Sequence, residues 1–323
     1  MTEYFKGSFS DQIEVERWES VYSRQDFRGF CYRARMNQTL SWLDASNLSR
    51  NSMILDAGCG AGIVTREVAK RGHQVIGVDY SYDMIEKANS ICNTDGNLRV
   101  KFSQVDVESL PFKDSSFDTI VCLGVITYLE CVEKTLREFS RILRPGGVLI
   151  LSSLNKAHLV VYLDLPILVG DILNTLAKFG RITLKKILGT RIASRIATWR
   201  KRTEIKEAPP VYRRYFTPKL KTLLELQGFS VLEYTTVPLG LLTFFGRTIP
   251  PQDINMKMTM FLERFVDVPL IGPLGGICIF RVRKSPIGRP NESSQPKPAK
   301  LKLGAAARKN RLNPSCPRRL LCV

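Results

Sequence analysis

From Ser52 to Ser153, short apolar runs alternate with stretches whose apolar positions recur every three or four residues. The runs Ser52–Asp56 (SMILD), Gln74–Asp79 (QVIGVD), Leu98–Gln104, Phe117–Leu123 (FDTIVCL) and Val148–Ser153 predict strands buried on both faces. Between them Ile63–Arg71, Tyr82–Cys92 and Val132–Leu143 carry the helical period. Ser81 is placed to cap the second helix, and Arg144-Pro145-Gly146-Gly147 stops the third. This alternation predicts a parallel sheet covered by helices on both faces.

After Asn155 the rhythm lapses for about sixty residues. It resumes with a helix at Thr217–Leu226, read with Thr217 as N-cap and Pro218 at the first position, and ended by Gly228. Strands follow at Phe229–Thr236 and Gly276–Arg283. The expected organisation is an N-terminal helical segment (1–50) and an α/β domain (51–284), then a tail (285–323). The domain is interrupted by a helical insertion at about 156–210 and an apolar one at about 237–273. The tail is rich in Pro, Ser, Lys and Arg, and its composition predicts disorder.

Charge changes this picture at two places only. The 323 residues hold 48 Lys and Arg against 30 Asp and Glu, a net charge of +18. The windows 178–206 and 284–323 each hold ten basic residues and a single acid, so each carries +9 and the rest of the chain is balanced. A uniformly basic nucleic-acid-binding fold is therefore not expected. The first window interleaves Leu and Ile with Lys and Arg at near-helical spacing, which suits an anionic membrane surface. An amphipathic lid packed on the sheet, with a solvated basic face, is the competing and favoured reading. The tail's basic residues lie among prolines without aromatics, so stacking on nucleic-acid bases is not indicated.

The N-terminal residues lack the basic-then-apolar pattern of a secretory signal. The longest uncharged runs, Tyr234–Gly246 and Val268–Phe280, have 13 residues each, short of the roughly 20 that span a bilayer. Eight cysteines without a CxxC pair, and only two histidines, argue against a zinc site and suit a reducing cytosol. A cytoplasmic protein without bound metal is expected, with membrane association resting on 178–206 alone.

The chemistry concentrates in Asp56-Ala57-Gly58-Cys59-Gly60-Ala61-Gly62, which follows a predicted strand and opens a helix. Glycines in such a turn let a ligand approach the backbone, and the helix N-terminus offers unpaired N–H groups. A dinucleotide fingerprint would place its third glycine where Ile63 stands. Asp79 ends the second strand, where a carboxylate can accept hydrogen bonds from the ribose of NAD or of another adenosine ligand. These residues alone leave both ligands open.

Five motifs in order extend the pattern: LDAGCGAG (55–62), GVDYS (77–81), VDVESLPF (105–112), FDTIVCLGVITYL (117–129) and LRPGGVLIL (143–151). Together they resemble the class I S-adenosylmethionine-dependent methyltransferases, particularly the small-molecule group that includes quinone-pathway enzymes. The resemblance implies a Rossmann-like α/β fold, with a seven-stranded, mostly parallel sheet, helices on both faces and an antiparallel last strand. It implies S-adenosyl-L-methionine as cofactor. Gly58, Gly60 and Gly62 would lie under its methionine part with Asp56 nearby, and Asp79 would hold the ribose. Tyr80, Ser81, Tyr82 and Met84 would lie near the adenosine, Asp106 and Val107 at the adenine edge. Leu123, Gly124 and Val125 would form the floor.

Methyl transfer from a sulfonium is an in-line displacement in which alignment supplies most of the help. A base is needed only where the nucleophile must lose a proton. The candidates are His158, just after the fifth strand, and Tyr128 with Glu130, just after the fourth. A lone histidine beside an apolar run more often has a structural role, and Tyr128 reads equally well as core. Tyr212-Arg213-Arg214-Tyr215 offers a grip for an anionic or aromatic substrate, against the simpler reading of a solvated loop. The apolar insertions point to a small acceptor that is apolar or lipid-like. A nucleic-acid methyltransferase or a non-catalytic basic binding protein is the alternative, but the fourth strand lacks the N-x-P-P-[YF] motif that would support it.

Overall fold

Seven strands make one sheet: β1 (Met53–Ala57), β2 (Gln74–Asp79), β3 (Val100–Gln104), β4 (Phe117–Leu123), β5 (Leu143–Leu154), β6 (Phe229–Val237) and β7 (Ile277–Lys284). Their spatial order is β3-β2-β1-β4-β5-β7-β6. Strands β1 to β5 are mutually parallel, and β7 runs antiparallel between β5 and β6. The computed structural model describes residues 12–46, 48–157, 213–237 and 275–285, with scattered positions between 243 and 261. His158, Tyr212, the 178–206 window and the tail beyond 285 lie outside the described residues.

Helices cover both faces, so the central strands are apolar throughout. On one face α5 (Val132–Ile142) and α6 (Thr217–Leu226) pack Leu136, Phe139 and Leu220 against Leu55, Ile120 and Phe280. On the other, α2 (Phe27–Asp44) and α3 (Ile63–Ala69) pack Leu40, Leu43 and Val68 against Ile54, Val121 and Ile279. Ile54 and Leu55 are neighbours in β1 and enter opposite layers, as the pleat requires. Of the described cysteines, Cys59, Cys92, Cys122, Cys131 and Cys278 are buried and form no disulfide, filling apolar space.

Two local expectations change. The turn 144–147 does not precede the fifth strand but lies within it. Phe117 pairs with Leu143 and Thr119 with Val148, so four residues are looped out of the ladder. Thr217 does not cap its helix. Phe216 holds the extended cap position, Thr217 is the first helical residue, and its buried hydroxyl makes no hydrogen bond. Pro218 still falls where an N–H would have had no intrahelical partner.

The N-terminal helices are held firmly against this sheet. Asp26 caps α2 by accepting from the Gly29 amide at 2.9 Å, and Arg33 donates to the Tyr22 carbonyl at 2.8 Å. These bonds fix the turn that joins α1 (Gln12–Ser20) to α2. Glu19 of α1 pairs at 2.7 Å with Lys87 of α4 (Tyr82–Asn93), which ties α1 to the sheet domain. Among the described residues no helix is long and apolar enough to cross a membrane.

Candidate active site

The chain order reverses between β1 and β4, and the loops leaving their carboxyl ends part there. Gly58, with φ 78°, turns the chain so that its amide and that of Cys59 both donate to the Val78 carbonyl, at 2.7 and 3.0 Å. A β-carbon on Gly58 would lie 2.1 Å from Cγ2 of Val125, so only glycine lets the β1 and β4 loops close up. Asp79 locks the same loop. One carboxylate oxygen accepts from the Gly60 amide at 2.9 Å and the other from the Ser81 amide at 3.0 Å. Burial pushes the Asp79 carboxyl up, and these amide donors hold it back.

A cavity of about 340 Å³ opens at this parting. Gly58, Gly60, Asp79, Tyr80 and Met84 line it from the β1 and β2 side. Asp106 and Val107 line it after β3, and Leu123, Gly124 and Val125 after β4. Asp106 also accepts from the Glu108 amide at 2.9 Å, which shapes its own turn. Two expected residues do other work. Gly62 is not among the lining residues: a β-carbon there would lie 2.8 Å from that of Ala88, so this glycine lets α3 pack on α4. The Ser81 hydroxyl, as expected of a cap, accepts from the Met84 amide.

Asp56 is buried at the end of β1 and accepts from the Thr65 hydroxyl at 2.6 Å. A second, small cavity of about 50 Å³ lies between Asp56, Gly58, Trp18, Tyr22 and Arg35. Burial raises the Asp56 carboxyl from 3.8 to about 6; the Thr65 hydrogen bond opposes this, the charge of Asp79 adds to it, and the charge of Arg35 lowers it. Between these values the fold keeps a proton that the unfolded chain has released. The contribution to stability therefore falls as pH rises through the window and stays unfavourable above it. Asp56→Asn is expected to stabilise the cofactor-free protein by on the order of 2 kcal/mol at pH 8 and hardly at pH 4. Urea denaturation at both pH values checks this, and an equal difference at the two would refute it.

Arg35 was not singled out in the sequence, and the structure brings it into the site from α2. Its side chain is buried, its Nε has no hydrogen-bond partner, and among the described residues no carboxylate pairs with it. The guanidinium lies over the Tyr32 ring at 4.6 Å and reaches the Tyr22 hydroxyl at 3.4 Å. Gly124, with φ 81°, makes room for it: a β-carbon there would lie 2.7 Å from Nη1. Arg35 lines both cavities.

Tyr128 sits in the 3-10 turn Ile126–Tyr128 and also lines the larger cavity, as the sequence suggested. The 213–215 stretch is structural instead. Arg213 binds the Thr127 and Glu130 carbonyls, and Tyr215 is buried beside Asn155. Asp118 accepts from the Met53 amide and pairs with Arg144, so it too serves the loops rather than the cavity. His73, between α3 and β2, is buried against the Ser49 carbonyl. Among the described residues no cluster of metal-ligating side chains occurs.

Comparison with known proteins bears directly on this site. Residues 55–151, from the end of β1 through most of β5, match the profile of the family described as "Methyltransferase domain". That match covers the same motifs that resemble the class I S-adenosylmethionine-dependent methyltransferases. An uncharacterized methyltransferase, YcgJ, of Bacillus subtilis (strain 168) is 31% identical over 43% of this chain and 51% of its own. The ubiquinone biosynthesis O-methyltransferase of Methylococcus capsulatus is 32% identical over 32% of this chain and 44% of its own. The chain thus spans about half the length of the curated relatives it matches. In fold, the chain resembles the magnesium protoporphyrin IX methyltransferase of Synechocystis PCC 6803. That structure has a TM-score of 0.53 and 18% identity, with 87% of this chain and 98% of that one covered.

S-adenosyl-L-methionine is the cofactor that this resemblance implies. The residues present suit it on two observations. Beside Gly60 the space a β-carbon would take is open, leaving room for a ligand against the loop. The buried, unpaired Nε of Arg35 lines the same cavity and needs an acceptor.

Proposed function

We propose that this protein transfers the methyl group of S-adenosyl-L-methionine to a small acceptor with an apolar body. Arg35 is the observation that carries the reading. A buried guanidinium that feels Asp56 only through space and makes no direct ion pair is costly to the free fold, and the carboxylate of the cofactor's methionine part would pair with it. In this reading Asp79 holds the ribose hydroxyls with the lone pairs its amide donors leave. Asp106 and Val107 meet the adenine edge, and Gly58 and Gly60 let the backbone approach the methionine part. When bound, the cofactor supplies a methyl on a sulfonium, already activated for displacement. The protein's task is to hold nucleophile and methyl in line and keep water out. Tyr128 is the described residue best placed to orient the nucleophile.

An apolar or lipid-like acceptor is supported by Leu129, Leu154 and Ile277 along the cavity and by the likeness to a ubiquinone O-methyltransferase. The basic, amphipathic pattern of 178–206 supports meeting such an acceptor at an anionic membrane surface. Titration with S-adenosylhomocysteine and with NAD tests the central claim. Saturable binding of the former alone is expected, and tight NAD binding without it would refute the reading. Adding anionic liposomes at low and high salt tests the surface, and no sedimentation at low salt removes it.

A further inference from the structure

We infer that Arg28 forms an anion-anchoring subsite at the outer wall of the cavity, so that the methyl acceptor is an amphipathic acid with an apolar body and a carboxylate-like group. This inference rests on the methyltransferase reading above. Arg28, Tyr32 and Arg35 stand at i, i+4 and i+7 of α2, on one face, and all three line the larger cavity together with Arg17 of α1. The two α2 cations sit at different depths. Seven residues of helix separate them by roughly 10 Å along the axis. Arg35 is buried against Gly124, whereas Arg28 is exposed at the rim.

The charge inventory leaves Arg28 without a use in cofactor binding. S-adenosylmethionine carries one anion, its carboxylate, against an ammonium and a sulfonium. Arg35 accounts for that one anion. The acids lining the cavity, Asp79 and Asp106, both lie toward β2 and β3, on the nucleoside side. The acceptor side, with Tyr32, Tyr128, Leu154 and Ile277, shows no acid among the described lining residues. Within the fold Arg28 acts only at a distance, its charge helping to hold the Asp26 carboxyl down. Among the described residues it has no hydrogen bond or ion pair. Nearby Asp26 is taken by Arg24 and the Gly29 amide. A surplus cation beside a cationic cofactor repels it unless an anion joins them, and an acidic acceptor supplies that anion. The aromatic and aliphatic walls then take its body.

The test uses the full chain saturated with S-adenosylhomocysteine, titrated calorimetrically with two matched pairs: decanoate with decanol, and 2-naphthoate with 2-naphthalenemethanol. In at least one pair the acid is expected to bind about tenfold tighter than its neutral partner. Arg28→Glu should abolish that preference while leaving S-adenosylhomocysteine affinity within about twofold, which shows that the fold and the deeper site are intact. Added salt should weaken acid binding and spare alcohol binding. Equal affinity within both pairs, no saturable acid binding, or a preference that survives Arg28→Glu overturns the subsite. Failure of the wild-type protein to bind S-adenosylhomocysteine overturns instead the reading on which the subsite rests.

Discussion

Substituting methionine for Arg35 is expected to weaken S-adenosylhomocysteine binding about a hundredfold while holding or raising the melting temperature of the cofactor-free protein. The opposite signs follow from the same fact. In the free fold the guanidinium is buried with an unpaired Nε, one long hydrogen bond to Tyr22 and the Tyr32 ring beneath it. Burying a charge that makes no direct ion pair costs more than such contacts return, so a methionine of similar length relieves the fold. On binding, a charge-assisted pair to the ligand carboxylate contributes about 1.5–3 kcal/mol, which the methionine forfeits. Calorimetric titration and thermal melting read the two effects separately. Binding within threefold of wild type would show that Arg35 does not hold the ligand. A melting temperature lowered by more than about 5 °C would show that it is a structural residue.

Gly58→Ala is expected to destabilise the protein by about 2–5 kcal/mol and to abolish cofactor binding. Two costs combine. The positive φ of 78° is strained for any residue with a β-carbon, at about 1–2 kcal/mol. That carbon would also stand 2.1 Å from Cγ2 of Val125, and the overlap adds about 1–3 kcal/mol. The two are separable because the obstacle is a single methyl group. In a Val125→Ala background the overlap disappears and the strain persists, so the cost of Gly58→Ala should fall by roughly half. Urea denaturation of the four proteins in this cycle decides it. An unchanged cost in the Val125→Ala background would mean that backbone strain accounts for the whole effect.

What could be read in the sequence, and what could not, divides along physical lines. β2 and β4 coincide with their expected bounds because both are short, apolar and ended by residues that leave the sheet. Gly58, Gly60, Asp79 and Asp106 were legible because their spacing follows local strand-turn-helix geometry. Gly62 stands in the same run, yet its constraint is the contact of α3 with α4, and spacing cannot express that. The Thr217 cap failed because burial of the hydroxyl against the sheet overrode a local preference. Arg35 was invisible for a stronger reason. α2 carries Arg28, Arg33 and Arg35 within eight residues, and nothing in FRGFCYRARMNQTLSWLD tells them apart. Docking alone sends Arg35 to the glycine loop, Arg28 to the rim and Arg33 to the Tyr22 carbonyl.

The placement of β7 bears on how the chain assembles. β1 to β3 join neighbours close in sequence and β4 returns to β1 over a shorter span than β7 must, so the nucleotide-side half of the sheet can form first. The other half cannot. Asn155 donates to the Gly275 carbonyl across 120 positions, at the point where β5 meets the start of β7. β6 in turn finds its ladder only on β7. Loop closure of that length must precede any gain from pairing, which slows this step relative to the rest. During synthesis the β5 edge therefore waits unpaired until more than a hundred further residues have emerged. In that interval the apolar β5 edge is exposed to mispairing, and the nascent chain depends most on protection from its surroundings.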